Sequence, residues 1–160
     1  MAIQSGRYTS NHGEQLVVLN IGMRINRYWR PDKWMVPLMA MQRMIKELKA
    51  APELGLLGAY PYKSGARVLA FLQYWRDFES LEAYARDPAH KHWQNWQDAA
   101  RMMAQDDSVG FFHETYCVEP GAMETIYINM PPFGLGAVRG IQPATGYRMS
   151  ARGRMTGSEV

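Results

Sequence analysis

The chain has one cysteine, Cys117, in 160 residues. With no second thiol to pair with, oxidative stapling plays no part in this fold. No apolar run approaches the length that crosses a bilayer. The first residues, Met1 to Arg7, lack the apolar stretch of a signal peptide, so the expectation is a soluble, cytoplasmic protein. No metal-ligand spacing of the strong kind is present. The phosphate-binding fingerprints are missing too, since Gly134 and Gly136 are too few to cradle a phosphate. Charge is modest: charged residues make up 21% of the chain and the formal net charge is +3. Much of that excess is terminal, because Arg139, Arg148, Arg152 and Arg154 are not balanced until Glu159. No basic stripe interleaved with aromatics points to nucleic acid as a partner.

What the chain does have is apolar bulk. Hydrophobic residues make up 47% of it, with 12 methionines and 5 tryptophans. Methionine packs adaptably and tryptophan broadly, which suits a roomy apolar cavity and an ordinary core equally well. A chain of this length can bury a core as one compact domain.

The chain is organised around Phe71 to Tyr84. Its first half reads as a buried strand ending in Gln73, Tyr74, Trp75 and Arg76. Asp77 then suits the N-cap of a helix running from about Phe78 to Arg86. Upstream, residues 1–13 are polar and read as an arm. Gln15 to Ile25 is a first strand, apolar on both faces except at Asn20. Trp34, Leu38, Met41, Ile45 and Leu48 follow at helical spacing. Pro37 predicts that the regular helix starts near it, and Ala51-Pro52 that it ends there. Leu54 to Tyr62 and Arg67 to Arg76 form a hairpin around the turn at Lys63 to Ala66.

Asp87-Pro88 predicts a further helix to about Gln105, with an apolar stripe of Ala89, Trp93, Trp96, Ala100 and Met103. Val109 to Val118 is a fourth strand and Ala122 to Met130 a fifth. Residues 139–160 read as an irregular basic C-terminal tail after a domain spanning 1–138. The order β-α-β-β-α-β is that of the ferredoxin-like split βαβ fold, here with an extra C-terminal strand. Helices would cover one face of its antiparallel sheet. The other face is still apolar, and a second copy of the chain would cover it.

The motifs Leu19-Asn-Ile-Gly-Met-Arg-Ile-Asn26, Gln73-Tyr-Trp-Arg76, Leu81-Glu-Ala-Tyr-Ala85, His113-Glu-Thr-Tyr116 and Asn129-Met-Pro-Pro-Phe-Gly-Leu-Gly136 resemble a bacterial and fungal family. It is described as fumagillin-pathway-monooxygenase-like, within the dimeric α+β barrel superfamily. The resemblance covers about residues 6–138. It implies an α+β barrel, a homodimer and a ligand cavity between sheet and helices. The superfamily it points to includes cofactor-free monooxygenases, haem-degrading enzymes and haem-dependent aldoxime dehydratases. It does not fix one reaction, because one fold hosts many chemistries.

His113 heads the candidate site residues, with Phe111 and Thr115 on its face of the strand. It can serve as a general base or as an axial haem ligand, or it can be a structural histidine satisfied by one hydrogen bond. His92 is the other candidate haem ligand, on the helix that carries Trp96; the plainer reading packs it beside Trp96 one turn on. Trp75 and Arg76 are candidate catalytic groups, the indole bounding a substrate and the guanidinium holding an oxyanion or carboxylate. The plainer reading puts Trp75 in the core and pairs Arg76 with Glu79 or Glu82. Gln73, Tyr74, Asn20, Arg24, Phe111 and Trp96 are candidate substrate contacts. Only one of each alternating pair on the third strand can face a cavity. The function expected is an oxygenase acting on a hydrophobic small molecule without a cofactor; the alternatives are a haem b enzyme resembling the aldoxime dehydratases and a non-catalytic binding protein for an apolar ligand.

Overall fold

A computed structural model describes residues 2–11, 13–87, 101 and 106–158. In chain order its strands are β1 (Gln4–Ser10), β2 (Leu16–Ile25), β3 (Leu56–Ser64), β4 (Val68–Trp75), β5 (Val109–Val118), β6 (Tyr127–Met130) and β7 (Ile141–Pro143). Its α-helices are α1 (Pro31–Ala50), α2 (Phe78–Arg86), α3 (Leu135–Arg139) and α4 (Ala151–Thr156). The chain folds as two units. One is Val17–Tyr116, and the other combines Met1–Leu16 with Cys117–Val160.

The first unit is built on a four-stranded sheet in the order β3-β4-β2-β5. Strand β4 lies between β2 and β3, antiparallel to both. This is the split βαβ order read from the sequence. Alternation along β2 buries Val17, Leu19, Met23 and Ile25 on one side. Val17 and Leu19 join Ile45, Leu48, Leu56, Ala59, Trp75, Leu81 and Tyr84 in a main cluster. Met23 and Ile25 join Met41 and Val109 in a second. The buried stripe of α1, namely Pro37, Ala40, Met41, Ile45 and Leu48, follows the spacing seen in the sequence.

Helix α1 starts earlier than Pro37 predicts. Pro31 takes the first helical position, where a missing N–H costs nothing, and Pro37 sits inside the helix. Burial of the Pro37 ring with the rest of the stripe offsets its lost hydrogen bond. Strand β3 begins two residues later than Leu54. Pro52–Leu54 forms a 3-10 turn, which Gly55 ends in the left-handed region at φ 92°. The start of α2 follows its sequence signal: Asp77 accepts a hydrogen bond from the Ser80 amide at 2.7 Å. Hydrogen bonds from Ser80, more than the neighbouring Arg76, hold the Asp77 carboxyl below the usual carboxylate range. Of the helix expected from Asp87 to Gln105, residues 88–100 and 102–105 lie outside the described residues, and with them His92 and Trp96.

The second unit corrects two expectations. The N-terminal segment is a strand and not an arm: β1 runs antiparallel to both β6 and β7 in a three-stranded sheet. Its first four residues are exposed and polar, so alternation gives little signal, and its partners lie more than a hundred residues away. Its buried end is polar, with Thr9 and Ser10 almost fully enclosed. Ser10 satisfies its amide on Thr125 Oγ1 at 2.8 Å. The segment expected to be an irregular tail carries β7, a 3-10 turn and α4. Arg154 organises it. This side chain is only 4% exposed, and Nε donates to Glu124 Oε2 at 2.7 Å. Nη1 donates to the carbonyls of Arg148 and Met149 at 2.9 and 3.1 Å. An arginine counted as surplus charge in the sequence thus ties α4 to Glu124 and to the carbonyls of the preceding 3-10 turn.

Gly22 in β2 tests the sheet packing. A Cβ there would sit 2.6 Å from the Ala70 Cβ and 2.8 Å from the Leu69 carbonyl oxygen. Neither atom can rotate away. Gly22→Ala is therefore expected to destabilise the protein by about 1–3 kcal/mol through overpacking, measured by urea unfolding. A loss within experimental error would contradict the packing of β2 on β4.

Candidate functional site

Antiparallel pairing decides which side chains share a face. Val17 lies opposite Trp75, Leu19 opposite Gln73 and Ile21 opposite Phe71. Side chains directly across an antiparallel pair project to the same side. Phe71, Gln73 and Trp75 therefore face the helices, while Leu72 and Tyr74 face away. On the helix side lies a cleft of about 340 Å³, at the lower end of the range for small-molecule sites. Strand β2 lines it with Leu19 and Ile21, α1 with Met41, Met44, Ile45 and Leu48, and α2 with Phe78, Leu81, Tyr84 and Ala85. His113 and Thr115 line it from β5.

The polar groups in this wall are few, and most are held in place. Trp75 is 1% exposed, and its Nε1 donates to Gln73 Oε1 at 2.9 Å. The indole packs against the Tyr84 ring at 5.8 Å between centroids. Burial, and secondarily the negative charge of Glu47, pushes the Tyr84 phenol well above its usual range. Glu82 and Arg86 line the cleft from exposed positions and pair with each other at 2.9 Å.

The candidates separate by face. His113, Gln73 and Trp75 come together on the cleft. Arg76 does not line it: Nε donates to Asp77 at 2.9 Å and Nη2 to Ser80 Oγ at 2.7 Å, so the guanidinium braces the start of α2. Its partners are Asp77 and Ser80 and not Glu79 or Glu82. Tyr74 packs edge-on against Tyr60 at 5.9 Å on the far face. Asn20 is also on that face. It donates to Glu114 Oε2 at 3.1 Å and accepts from the Tyr62 hydroxyl at 2.5 Å. Tyr116 donates to the same Glu114 oxygen at 3.1 Å, and that carboxylate raises the Tyr116 phenol. Arg24 is bonded to Asn26. Phe111 packs against the cluster of Met23, Ile25, Met41 and Val109.

Sequence reading passed over Tyr84, Met41 and Met44 as wall residues, while it placed Thr115 on the face of His113. The abundance of methionine was the available signal for the two methionines. Among the described residues no group of three or more His, Cys, Asp or Glu is placed to hold a metal ion.

A split βαβ sheet with two helices over one face, and a cleft between them, is the architecture of the dimeric α+β barrel proteins. Within that class the chain belongs to the Monooxygenase af470-like family, whose model matches residues 16–135. The motifs at 19–26, 73–76, 81–85 and 113–116 all fall inside that span. The chain is 30% identical over 102 residues to Monooxygenase af470 of Aspergillus fumigatus, an alignment covering 61% of this chain and 35% of that protein. It thus spans about a third of that relative's length. Among solved structures it is similar to an aldoxime dehydratase crystallised with butyraldoxime, at 21% identity and a TM-score of 0.58. That match covers 87% of this chain and 38% of the other. A second aldoxime dehydratase matches at 18% identity and a TM-score of 0.58, covering 88% and 40%. At these identities the structural likeness speaks for the fold.

The separation of Trp75 from Arg76 has a direct consequence. Trp75→Ala should cost about 3–5 kcal/mol, the usual effect of emptying a buried aromatic site. Arg76→Ala should cost no more than about 1 kcal/mol, because its partners are at an exposed helix end. Urea unfolding of the two variants checks this. Equal losses would mean that Arg76 is built into the core after all.

Proposed function

We propose that this chain is a monooxygenase-like oxidoreductase that takes a hydrophobic small molecule into the cleft between the sheet and helices α1 and α2. His113 carries the reading: it is an imidazole in a mostly apolar wall, in a chain of a family named for a monooxygenase. Imidazole is the side chain best suited to exchange a proton near neutral pH. In the proposed reaction His113 takes a proton from an activated methylene of the substrate, and the carbanion reacts with dioxygen. Conversion of the methylene to a carbonyl with release of one water balances the atoms and electrons, so no external reductant enters. The apolar wall of Leu19, Ile21, Ile45, Leu48 and Phe71 supplies binding by removing hydrocarbon surface from water. The Trp75 and Tyr84 rings, tilted 38° to each other, border the same space.

In the described wall a haem would find one axial ligand, His113, and one cation, Arg86, which is bonded to Glu82. The other candidate ligand, His92, lies outside the described residues. No step is assigned to haem.

We also propose that the chain works as a homodimer, each copy covering the far face of the other's sheet. That face presents Val18, Leu72, Tyr74 and Phe112 half-buried and Tyr62 and Tyr116 exposed. Apolar and aromatic surface of this kind is stabilised by removal from water. Analytical ultracentrifugation at micromolar concentration should give twice the chain mass, and Tyr62→Glu should shift it towards the monomer. A wild-type monomer at that concentration would rule this out.

Oxygen uptake across a panel of apolar phenols, ketones and terpenoids tests the activity. A substrate that drives uptake should lose at least about a hundredfold in turnover with His113→Ala, the lower bound for removing a general base, while the variant still binds it. Uptake that survives the substitution would remove His113 from the chemistry. Binding without any uptake across the panel would instead favour a carrier or sensor of the same ligand.

A further inference from the structure

The amide of Gln73 is only half used. Indole N–H groups donate and cannot accept, so the atom that Trp75 Nε1 meets at 2.9 Å has to be the Gln73 oxygen. That contact fixes the orientation of the amide. The nitrogen, with two N–H donors, takes the opposite end, and it has no hydrogen-bond acceptor among the described residues. Gln73 is 6% exposed and lines the cleft. A ligand that filled the cleft without offering an acceptor would cut this donor off from water at a cost, and the apolar side chains around it offer none.

We infer that Gln73 is the polar anchor of the cleft, and that its ligand is an apolar molecule carrying a neutral hydrogen-bond-accepting oxygen, a carbonyl above all. This rests on the reading of the cleft as a binding site and names its ligand class. The chemistry excludes the other head groups in turn. An ammonium or a lone N–H donor would meet the Gln73 N–H groups donor to donor. A carboxylate would need a cation, and the one among the described lining residues, Arg86, is already held by Glu82. A pure hydrocarbon would leave the amide unsatisfied. A carbonyl oxygen accepts without donating and carries no net charge to desolvate. The Trp75 contact holds the donor still, so it need not be ordered when ligand arrives.

Acetophenone and ethylbenzene form a suitable probe pair, because they differ by a carbonyl in place of a methylene. Their affinities are read by Trp fluorescence or calorimetry in wild type and in Gln73→Met. The ratio of acetophenone to ethylbenzene affinity should fall roughly threefold to tenfold in the variant, the effect of one neutral hydrogen bond. An unchanged ratio with ethylbenzene still bound would overturn the role of Gln73 and leave the cleft standing as a binding site. Failure of wild type to bind either probe would overturn the cleft reading together with it. Infrared spectroscopy of bound carbonyl-labelled acetophenone needs only the wild-type protein, so it decides the matter even if Gln73→Met fails to fold. The carbonyl band should move to lower wavenumber than in hydrocarbon solvent, and a band at the hydrocarbon position would overturn the proposal.

Discussion

The register of β4 against β2 is the constraint on which the site depends. Pairing Leu19 with Gln73 and Val17 with Trp75 sends the amide and the indole to the helix side, and leaves Tyr74 on the other. A slip of one residue would exchange these faces, exposing Trp75 and burying Tyr74 in its place. The register is pinned from both sides. Strand β3 matches Ala59 to Gln73 along the other edge of β4, and Gly22 allows β2 to approach Ala70 and Leu69 at distances that no side chain would tolerate. Trp75 then fills the space against Tyr84, Leu81 and Leu48, and its one polar atom is answered by Gln73.

The same sheet has two chemical characters because its two faces meet different surroundings. On the helix side, α1 and α2 enclose apolar side chains and leave a cleft with few polar groups. On the far side, Tyr62, Asn20, Glu114 and Tyr116 form a continuous hydrogen-bonded chain. Glu114 accepts from both Asn20 and Tyr116, which keeps a carboxylate satisfied on a sheet surface. Asn20 thus serves the far network and not the cleft. The polar exception in the first strand was visible in the sequence, but it belongs to the other face.

The start of α2 connects sheet and cleft. Asp77 caps the helix through Ser80, and Arg76 braces both groups. The helix then places Leu81, Tyr84 and Ala85 over Trp75 and Gln73. A guanidinium at the end of a central strand looks like a ligand-binding group when read as a string of residues. Its place one residue beyond the strand, beside a capping carboxylate, gives it a structural role. The arginine that organises the second unit, Arg154, shows the converse: a residue in a stretch without periodicity turned out to be buried and bonded on several sides.

Local pattern determined a good deal by itself. Short apolar and aromatic runs marked β2, β4 and β5, the i, i+3, i+4 stripe marked α1, and an Asp before an amphipathic run marked the start of α2. Each rests on interactions within a few residues, which a sequence displays directly. The order of those elements was enough for the split βαβ fold, and His113 and Gln73 stood out as polar groups in apolar strands. Pairing over long separations was settled only by the tertiary structure. The strand at Gln4–Ser10 exists because β6 and β7 arrive beside it, and the choice between Gln73 and Tyr74 belongs to the register. The diversion of Arg76, Asn20 and Arg24 away from the cleft depends on which acceptors reach them in space. Backbone and side-chain polar groups bond to whatever is near them when the chain has folded, and nearness of that kind is not written in residue spacing.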